Sequence, residues 1–313
     1  MKRIDLAKIK TRRMSRRRSK VDKKQFAARL SVGGLSDFID SLPDLLKARD
    51  LKSLISRIEK ARTRKKPIIW MFGAHILKAG LVPLLCEIIK QGMAQQISTN
   101  NAVLIHDLEL AFFGRTSEDV DRALVAGEFG MTADTAELYS QVVELAAKSD
   151  IGLGEAAGRF IAAQARHKSG SVFAAAHRQR IAATVHVAIG TDVVNCHQSF
   201  DGAAVGRASQ IDFEIFCYNV ARLKNGGVAL NFGSAVIMPE VFLKAIAVAR
   251  NLDSRFGKFT TANFDMITHY RPRQNIIRRP QLLGAQTYDF TGHHEIMLPL
   301  LWAGIKDRLN LTT

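Results

Sequence analysis

Three cysteines in 313 residues, Cys86, Cys196 and Cys217, form no even set and show no Cys-x-x-Cys spacing. That argues against a disulfide framework or a cysteine zinc site and suits a reducing cytosol, with each thiol read as a small buried hydrophobe. Nowhere do about 18 apolar residues run unbroken, so no membrane span is expected. The N-terminus has no apolar h-region, so no secretory signal is expected either. Internal repeats and low-complexity linkers are also missing. What is plentiful is apolar residue, 47% of the chain, which is enough for a sizeable core.

The net charge of +16 is unevenly placed. Residues 1–24 hold twelve Lys/Arg against Asp5 and Asp22, a net +10, which leaves +6 for all the rest. Blocks such as Arg16-Arg17-Arg18 are usually disordered, and they either stay solvated or bind a polyanion. The expectation is a basic, disordered arm over 1–33, with nucleic acid or an acidic partner as the candidate contact of 1–24. No aromatic falls in 1–24, so base stacking there is not expected. An organelle presequence fits less well, because such segments usually lack acids.

The remainder, 34–313, reads as a single α/β domain with an N-terminal helical extension. Leu42, Leu45, Leu46, Leu51, Leu54, Ile55 and Ile58 recur at helical spacing, broken at Pro43. Buried strands are expected at 67–72, 95–98, 184–189, 227–232 and 259–262. A helix follows Gly73 to about Lys90, and the region 100–182 is mostly helix. Thr116 with Asp119 fits a capping box. Ser234 suits a helix N-cap and Thr291 caps a last helix. A polar, basic loop carries Arg271, Arg273, Arg278 and Arg279. Strands alternating with helices predict a parallel sheet covered on both faces.

The stretch 184–209 shows the pattern that organises the rest. A buried strand breaks at Gly190 into a polar run with Thr191, Asp192, His197 and Asp201. Ligands of open α/β sheets sit at such carboxyl ends. Phe72-Gly73-Ala74-His75 and Asn231-Phe232-Gly233-Ser234-Ala235 have the same shape, with small residues leading into a helix where backbone N–H groups attract phosphate. Thr99-Asn100 and Thr261-Ala262-Asn263 add two more. Gly152-Leu-Gly154-Glu-Ala-Ala-Gly158 imitates a dinucleotide fingerprint, but its last spacing is one too long and a helix precedes it, so it reads as a turn between helices. His186 sits inside a strand and reads as a satisfied core histidine. His106 and Asp107 face either the cleft or a helix–helix contact. No histidine pair has the HExxH spacing, so no metal is assigned.

At these residues the chain resembles the deoxyhypusine synthase family, in particular a bacterial deoxyhypusine synthase-like branch. The similar stretches are GAHILKAG (73–80), STNNAVLIHDLELAFFGRTSEDV (98–120), HVAIGTDVVNCH (186–197), NFGSAVIMPEVFLKA (231–245), FTTANFD (259–265) and TGHHEIMLPLL (291–301). The resemblance implies a Rossmann-like parallel sheet that binds NAD without the glycine fingerprint, in a homotetramer with sites at a dimer interface. It places Ala74 and His75 at the first nucleotide contact, and Thr99 and Asn100 at a second turn. Asp192 matches an acid of the family's Leu-Thr-Asp-Gly turn. Gly233, Ser234 and Ala235 replace a triple glycine, and Thr261 and Ala262 match a later Thr-Ala pair. Asp107 and His197 fall near acids that hold the polyamine. The chain departs from the family at its imine-forming lysine, since no lysine lies between Lys258 and Lys306. His293, His294 and Glu295 stand there instead and suit acid–base work.

The expectation is therefore a cytoplasmic, oligomeric NAD-dependent enzyme that oxidises a polyamine or related small amine, with aminobutyl transfer left open. Two alternatives stand beside it. One is a metal-dependent hydrolase using His75, His106, His197, His293 and His294. The other is a non-enzymatic NAD- or RNA-binding relative.

Overall fold

Six short segments, most of them followed by glycine or polar residues, become the strands of a parallel sheet. They are β1 (Ile68–Phe72), β2 (Gln96–Asn100), β3 (Ala182–His186), β4 (Val228–Phe232), β5 (Thr260–Asp265) and β6 (Gln286–Thr291). This computed structural model describes residues 23–28 and 35–311. The expected contacts of the basic arm at 1–22 lie outside them. Strand order is β3-β2-β1-β4-β5-β6, the order of a Rossmann fold, and every neighbouring pair is parallel. β1 and β4 are buried at every residue, as expected of central strands covered on both faces. The sixth strand was not expected. Its pattern Gln-Thr-Tyr-Asp-Phe-Thr alternates exposed and buried, as an edge strand does, and so lacks a continuous apolar run.

Contacts divide the chain into two units, Met1–Lys52 and Ser53–Thr313. In the first, α1 (Leu35–Ser41) stops before Pro43, and α2 (Leu46–Thr63) begins after it and runs on into the second unit. The Lys52 ammonium donates to the carbonyls of Asp40 (2.9 Å) and Leu42 (2.6 Å), at the end of α1 where carbonyls lack helical partners.

In the second unit, α3 (His75–Lys78) and α4 (Val82–Lys90) follow β1. One helix was expected there, but Gly80 at φ +76° breaks it. α5 (Asn101–Phe113) follows β2, and the excursion before β3 holds α6 (Val120–Ala126), α7 (Ala133–Ser149), α8 (Leu153–Gln164) and α9 (Val172–Arg178). Asp119, not Thr116, caps α6 by accepting from Arg122 N. α10 (Gly202–Ala221) precedes β4, and α11 (Ile237–Leu252) precedes β5. The expected basic loop is helical. α12 (Tyr270–Pro272), a π-helical turn (Arg273–Arg278) and α13 (Arg279–Gln281) lead to β6, and α14 (His294–Arg308) ends the fold.

One core packs Ile69, Met71 and Ala229 of the sheet against Phe216 and Val220 of α10, Phe242 and Ala245 of α11, and Ile276 of the π turn. Phe232, Phe264 and Phe290 stack in register at 4.3 and 4.6 Å between ring centroids, with Trp70 beside Phe232. Glu87 of α4 accepts from Trp302 Nε1 (3.0 Å) and Lys306 Nζ (2.6 Å), which fastens α14 to α4.

The false dinucleotide fingerprint, expected as a turn between helices, instead opens α8: Gly152 is the N-cap and 153–158 are the first turns of the helix. Its glycines permit close packing. A Cβ on Gly154 would lie 2.1 Å from Ala183 O, and one on Gly158 would lie 2.8 Å from Phe173 O. Asp212 of α10 accepts from Gly154 N (3.1 Å) and Val185 N (2.9 Å), so the start of α8 already has its carboxylate. Gly154→Ala is expected to lower stability by about 3 kcal/mol, because backbone has to move. Gly206→Ala, in α10 with nothing within 4 Å of the new Cβ, is expected to raise it by about 0.5–1 kcal/mol. Urea unfolding of the two variants checks both signs.

Candidate functional site

The strand order reverses between β1 and β4, and the turns that leave these two strands touch. Gly73 N donates to Phe232 O at 3.0 Å, and Gly233 N donates to Phe264 O at 3.0 Å. A Cβ on Gly73 would lie 2.4 Å from Gly233 O. Gly233 has φ +62°, and a Cβ there would lie 2.7 Å from His294 Nε2. Both positions therefore require glycine, one for close approach and one also for its backbone conformation. The two turns thus present bare backbone at the carboxyl ends of the strands, the crevice position where ligands of open α/β sheets sit.

His294 lies against Gly233 at this position. Its side chain is 1% exposed, and its ring centroid lies 5.6 Å from that of His75. Nε2 stands 3.8 Å from Asp265 Oδ1. Among the described residues, neither ring nitrogen has a hydrogen-bond partner, and nor does Asp265 Oδ2. Burial pushes the His294 pKa below its ordinary 6.5 and outweighs the nearby Asp265 carboxylate, while His75 acts in the same direction as burial. His293 caps α14 and is exposed, with Nδ1 3.7 Å from Glu295 Oε1, also at the surface. The expected triplet therefore splits, with one buried histidine and a solvent-facing pair. Thr291, expected as the cap, is the last residue of β6.

A polar ladder supports this half of the site. Asn231, Asn263 and Asp289 are in register across β4, β5 and β6. Asn231 Nδ2 donates to Asn263 Oδ1 (2.8 Å) and to Ser234 O (3.1 Å), and Asn263 Nδ2 donates to Asp289 Oδ1 (3.0 Å). Asn231 Oδ1 is buried and unpaired among the described residues. Ser234 Oγ accepts from Met238 N (3.2 Å), although α11 itself starts at Ile237. Asn231 was named only as the start of the strand-end stretch 231–235, with no role assigned, and Asp289 was not singled out from the sequence. The available signal was the repeated polar-Phe pair Asn231-Phe232, Asn263-Phe264 and Asp289-Phe290, which recurs at or one residue before the end of three strands.

The other half lies after β2 and β3. Asp192 Oδ2 accepts from Asn101 Nδ2 (3.2 Å) and Thr191 Oγ1 (3.4 Å), and burial raises its pKa. Asn100 ends β2 with an Oδ1 that is buried and, among the described residues, unpaired. Lys78, His106, Glu109, Glu118, Thr191 and Asp192 are among the residues lining a cavity of about 290 Å³. Thr116 Oγ1 bonds both His106 Nδ1 (2.6 Å) and Glu109, and Thr135 Oγ1 donates to Glu109 Oε1 (2.9 Å). Burial pushes the Glu109 carboxyl up, but hydrogen bonds from His106, Thr116 and Thr135 prevail and hold it below the usual range.

Several expected site residues are structural instead. Asp107 is fully buried and accepts from Ser171 Oγ (2.5 Å), Val172 N (3.0 Å) and Phe173 N (3.4 Å), so it holds the start of α9. Thr99 is buried and donates to Thr184 O (3.4 Å). Thr261 and Ala262 are buried inside β5, because that strand runs on to Asp265. Thr261 donates to Ile276 O, a carbonyl that Pro280 cannot serve because it lacks an N–H. His197 Nε2 donates to Gly130 O (2.8 Å). Ala74 occupies the N-cap of α3 and Ala235 follows the Gly233-Ser234 turn. His186 is the core histidine expected, bonded to Thr184 Oγ1 at 3.1 Å. No group of three or more metal-ligating side chains occurs among the described residues.

Residues 52–141, less than a third of the chain, match the family model described as the C-terminal Rossmann-fold domain of arginine dihydrolase ArgZ-like proteins. No curated protein matches the sequence. Among solved structures, the chain is similar to a provisionally named conserved LOR/SDH protein of Methanococcus maripaludis S2, at 16% identity and a TM-score of 0.51, covering 90% of this chain and 73% of that one. It is also similar to AgrE in its ternary complex with ornithine and NAD+, at 13% identity and a TM-score of 0.51. That match covers 84% of this chain but only 33% of AgrE. A provisionally named deoxyhypusine synthase from Entamoeba histolytica matches at 10% identity and a TM-score of 0.50, covering 87% and 93%. Likeness at these identities is likeness of fold, and the fold shared is of Rossmann type.

Burial raises the Asp107 pKa from 3.8 to about 6, overcoming its three hydrogen bonds. A carboxyl that holds its proton more tightly folded than unfolded contributes stability below the lower value. That contribution is lost as pH rises through the higher one. Asp107→Asn, with no proton to exchange, is expected to flatten the decline in stability between about pH 4 and about pH 6. It is also expected to cost about 1–2 kcal/mol by weakening the cap of α9. Urea midpoints across that range test this; an unchanged slope would contradict the protonated state.

Proposed function

We propose that the chain is an NAD-dependent enzyme that oxidises a small amine, with the dinucleotide in the crevice between β1 and β4. The observation that carries the reading is His294, buried and unpaired behind Gly233, at the place where the sheet order reverses. The residues present fit a dinucleotide. Gly73 and Gly233 leave the turns at the strand ends without side chains, and among the described residues Asn100 Oδ1 is an unpaired acceptor at the end of β2, where this fold holds a ribose hydroxyl. Ser234 and Asp192 border the same strand ends. AgrE, which shares the fold, was solved with ornithine and NAD+, and this supports both the cofactor and the amine class.

NAD, when bound, supplies a hydride acceptor for the carbon that carries the amine. The chain's own part is to bind, orient and move protons. His294 presents an unprotonated ring nitrogen, favoured by burial, which accepts a proton from the substrate amine. Asp265 stabilises the imidazolium so formed and orients the ring. His293 and Glu295 relay the proton to solvent from the exposed start of α14. Without a lysine between Lys258 and Lys306 there is no side-chain amine there to carry an aminobutyl group, so oxidation is favoured over transfer. The reading includes a cytoplasmic homo-oligomer, with a tetramer as the family resemblance implies.

Calorimetric titration of nucleotide-stripped protein with NAD is expected to show saturable binding and a raised thermal midpoint. Gly233→Ala should weaken NAD at least about tenfold. His294→Gln should still bind NAD yet form NADH from diamines or polyamines at least about a hundredfold more slowly. Absence of NAD binding by the wild-type chain would overturn the reading.

A further inference from the structure

At the amino end of β3, opposite the crevice, lies a larger concavity of about 890 Å³. Arg159 of α8, Lys168, His177 and Arg178 of α9, and Arg180 converge on it, while Ala162, Ile181 and Ile215 supply apolar wall. Glu155 is its one acidic lining residue, and that carboxylate is already bonded to Arg159. Lys168 Nζ donates to Ala162 O (3.1 Å) and Arg178 to Lys168 O (3.3 Å), both neutral carbonyls. Among the described residues, Lys168, His177, Arg178 and Arg180 have no carboxylate within ion-pair distance. Arg180 is held at φ +53°, a conformation uncommon for a side chain of its kind. Like charges gathered in a concavity repel one another and raise the local potential, so the arrangement gains from an anion. The N-terminus of α8 does not supply the attraction, because Asp212 already occupies it.

We infer that this cavity is a second binding site, separate from the strand-end crevice, for a nucleoside polyphosphate. Guanidinium groups suit phosphate oxygens, and a polyphosphate offers enough charge for three or more cations. The apolar wall takes the uncharged part of the ligand, and the volume falls in the range of small-molecule sites. One strand length, about 16 Å, separates the cavity from the crevice, so occupancy of one does not block the other. The site stands whether or not the crevice takes NAD.

The test is calorimetric titration of the full chain with ATP, without magnesium and at constant ionic strength. Wild-type protein is expected to bind saturably. Arg178→Gln/Arg180→Gln should weaken binding at least about tenfold, and Arg180→Gln alone should weaken it by less. Both arginines are exposed, and thermal midpoints check that the variants fold. Gly233→Ala, which sets a methyl against His294 at the strand-end site, should bind ATP as wild type does. No binding by wild type, a loss in Gly233→Ala, or affinity unchanged in the arginine variants would each overturn the assignment.

Discussion

Parallel register at the ends of β4, β5 and β6 is the constraint on which the candidate site depends. Asn231, Asn263 and Asp289 bond side by side on one face of the sheet, and Phe232, Phe264 and Phe290 stack on the other. A slip of one residue would put amides among the rings and rings among the amides. Neither exchange is tolerable in a buried sheet, so the register is strongly specified. The same ladder reaches the turn, because Asn231 also holds Ser234 O. Gly233 is thereby fixed against Gly73 on one side and His294 on the other. Position, not reactivity, is what the strands contribute, and the chemistry of the crevice follows from where they end.

Much of this was legible in the sequence. Glycine after a mainly apolar run located the ends of β1 and β4, and the helix before Gly152 exposed the false fingerprint. The rest was hidden for identifiable reasons. β6 alternates because it is an edge strand, so it offered no apolar run. β5 was read as ending at Ala262 because Asn263 is polar, although that side chain is paired across the sheet. Thr261 was consequently placed at the cleft when its hydroxyl serves a carbonyl left free by Pro280. The segment 270–281 carries two prolines and several arginines, a loop signature, yet it winds through a π-helical turn.

Burial decided the roles of the ionisable groups, and burial is the property that a residue's identity conveys least. His293 and His294 are neighbours in sequence, yet their side chains are 65% and 1% exposed. The first is a cap in solvent and the second is an unpaired ring inside the fold. Asp107 was read as a substrate-facing acid because of its neighbours in the motif. In the fold it answers to α9, whose first N–H groups would otherwise be buried without partners. The hydroxyls of Thr116 and Thr135 help hold the Glu109 carboxyl below its usual range, whereas at Asp107 burial prevails over the Ser171 hydroxyl.

The position of β1 also bears on how the chain is made. Its two neighbours arrive at different times: β2 follows within about 30 residues, whereas β4 lies 160 residues further on, as the pairing of Ile68 with Val228 shows. During synthesis the first three strands and their helices can collapse as a half-sheet with one edge of β1 bare. Ile68, Ile69, Trp70, Met71 and Phe72 form that edge, all of them buried in the finished fold. An apolar edge left open for so long invites pairing with another nascent chain. The stretch that builds one wall of the crevice is thus also the one most in need of shelter on the ribosome, until β4 emerges to cover it.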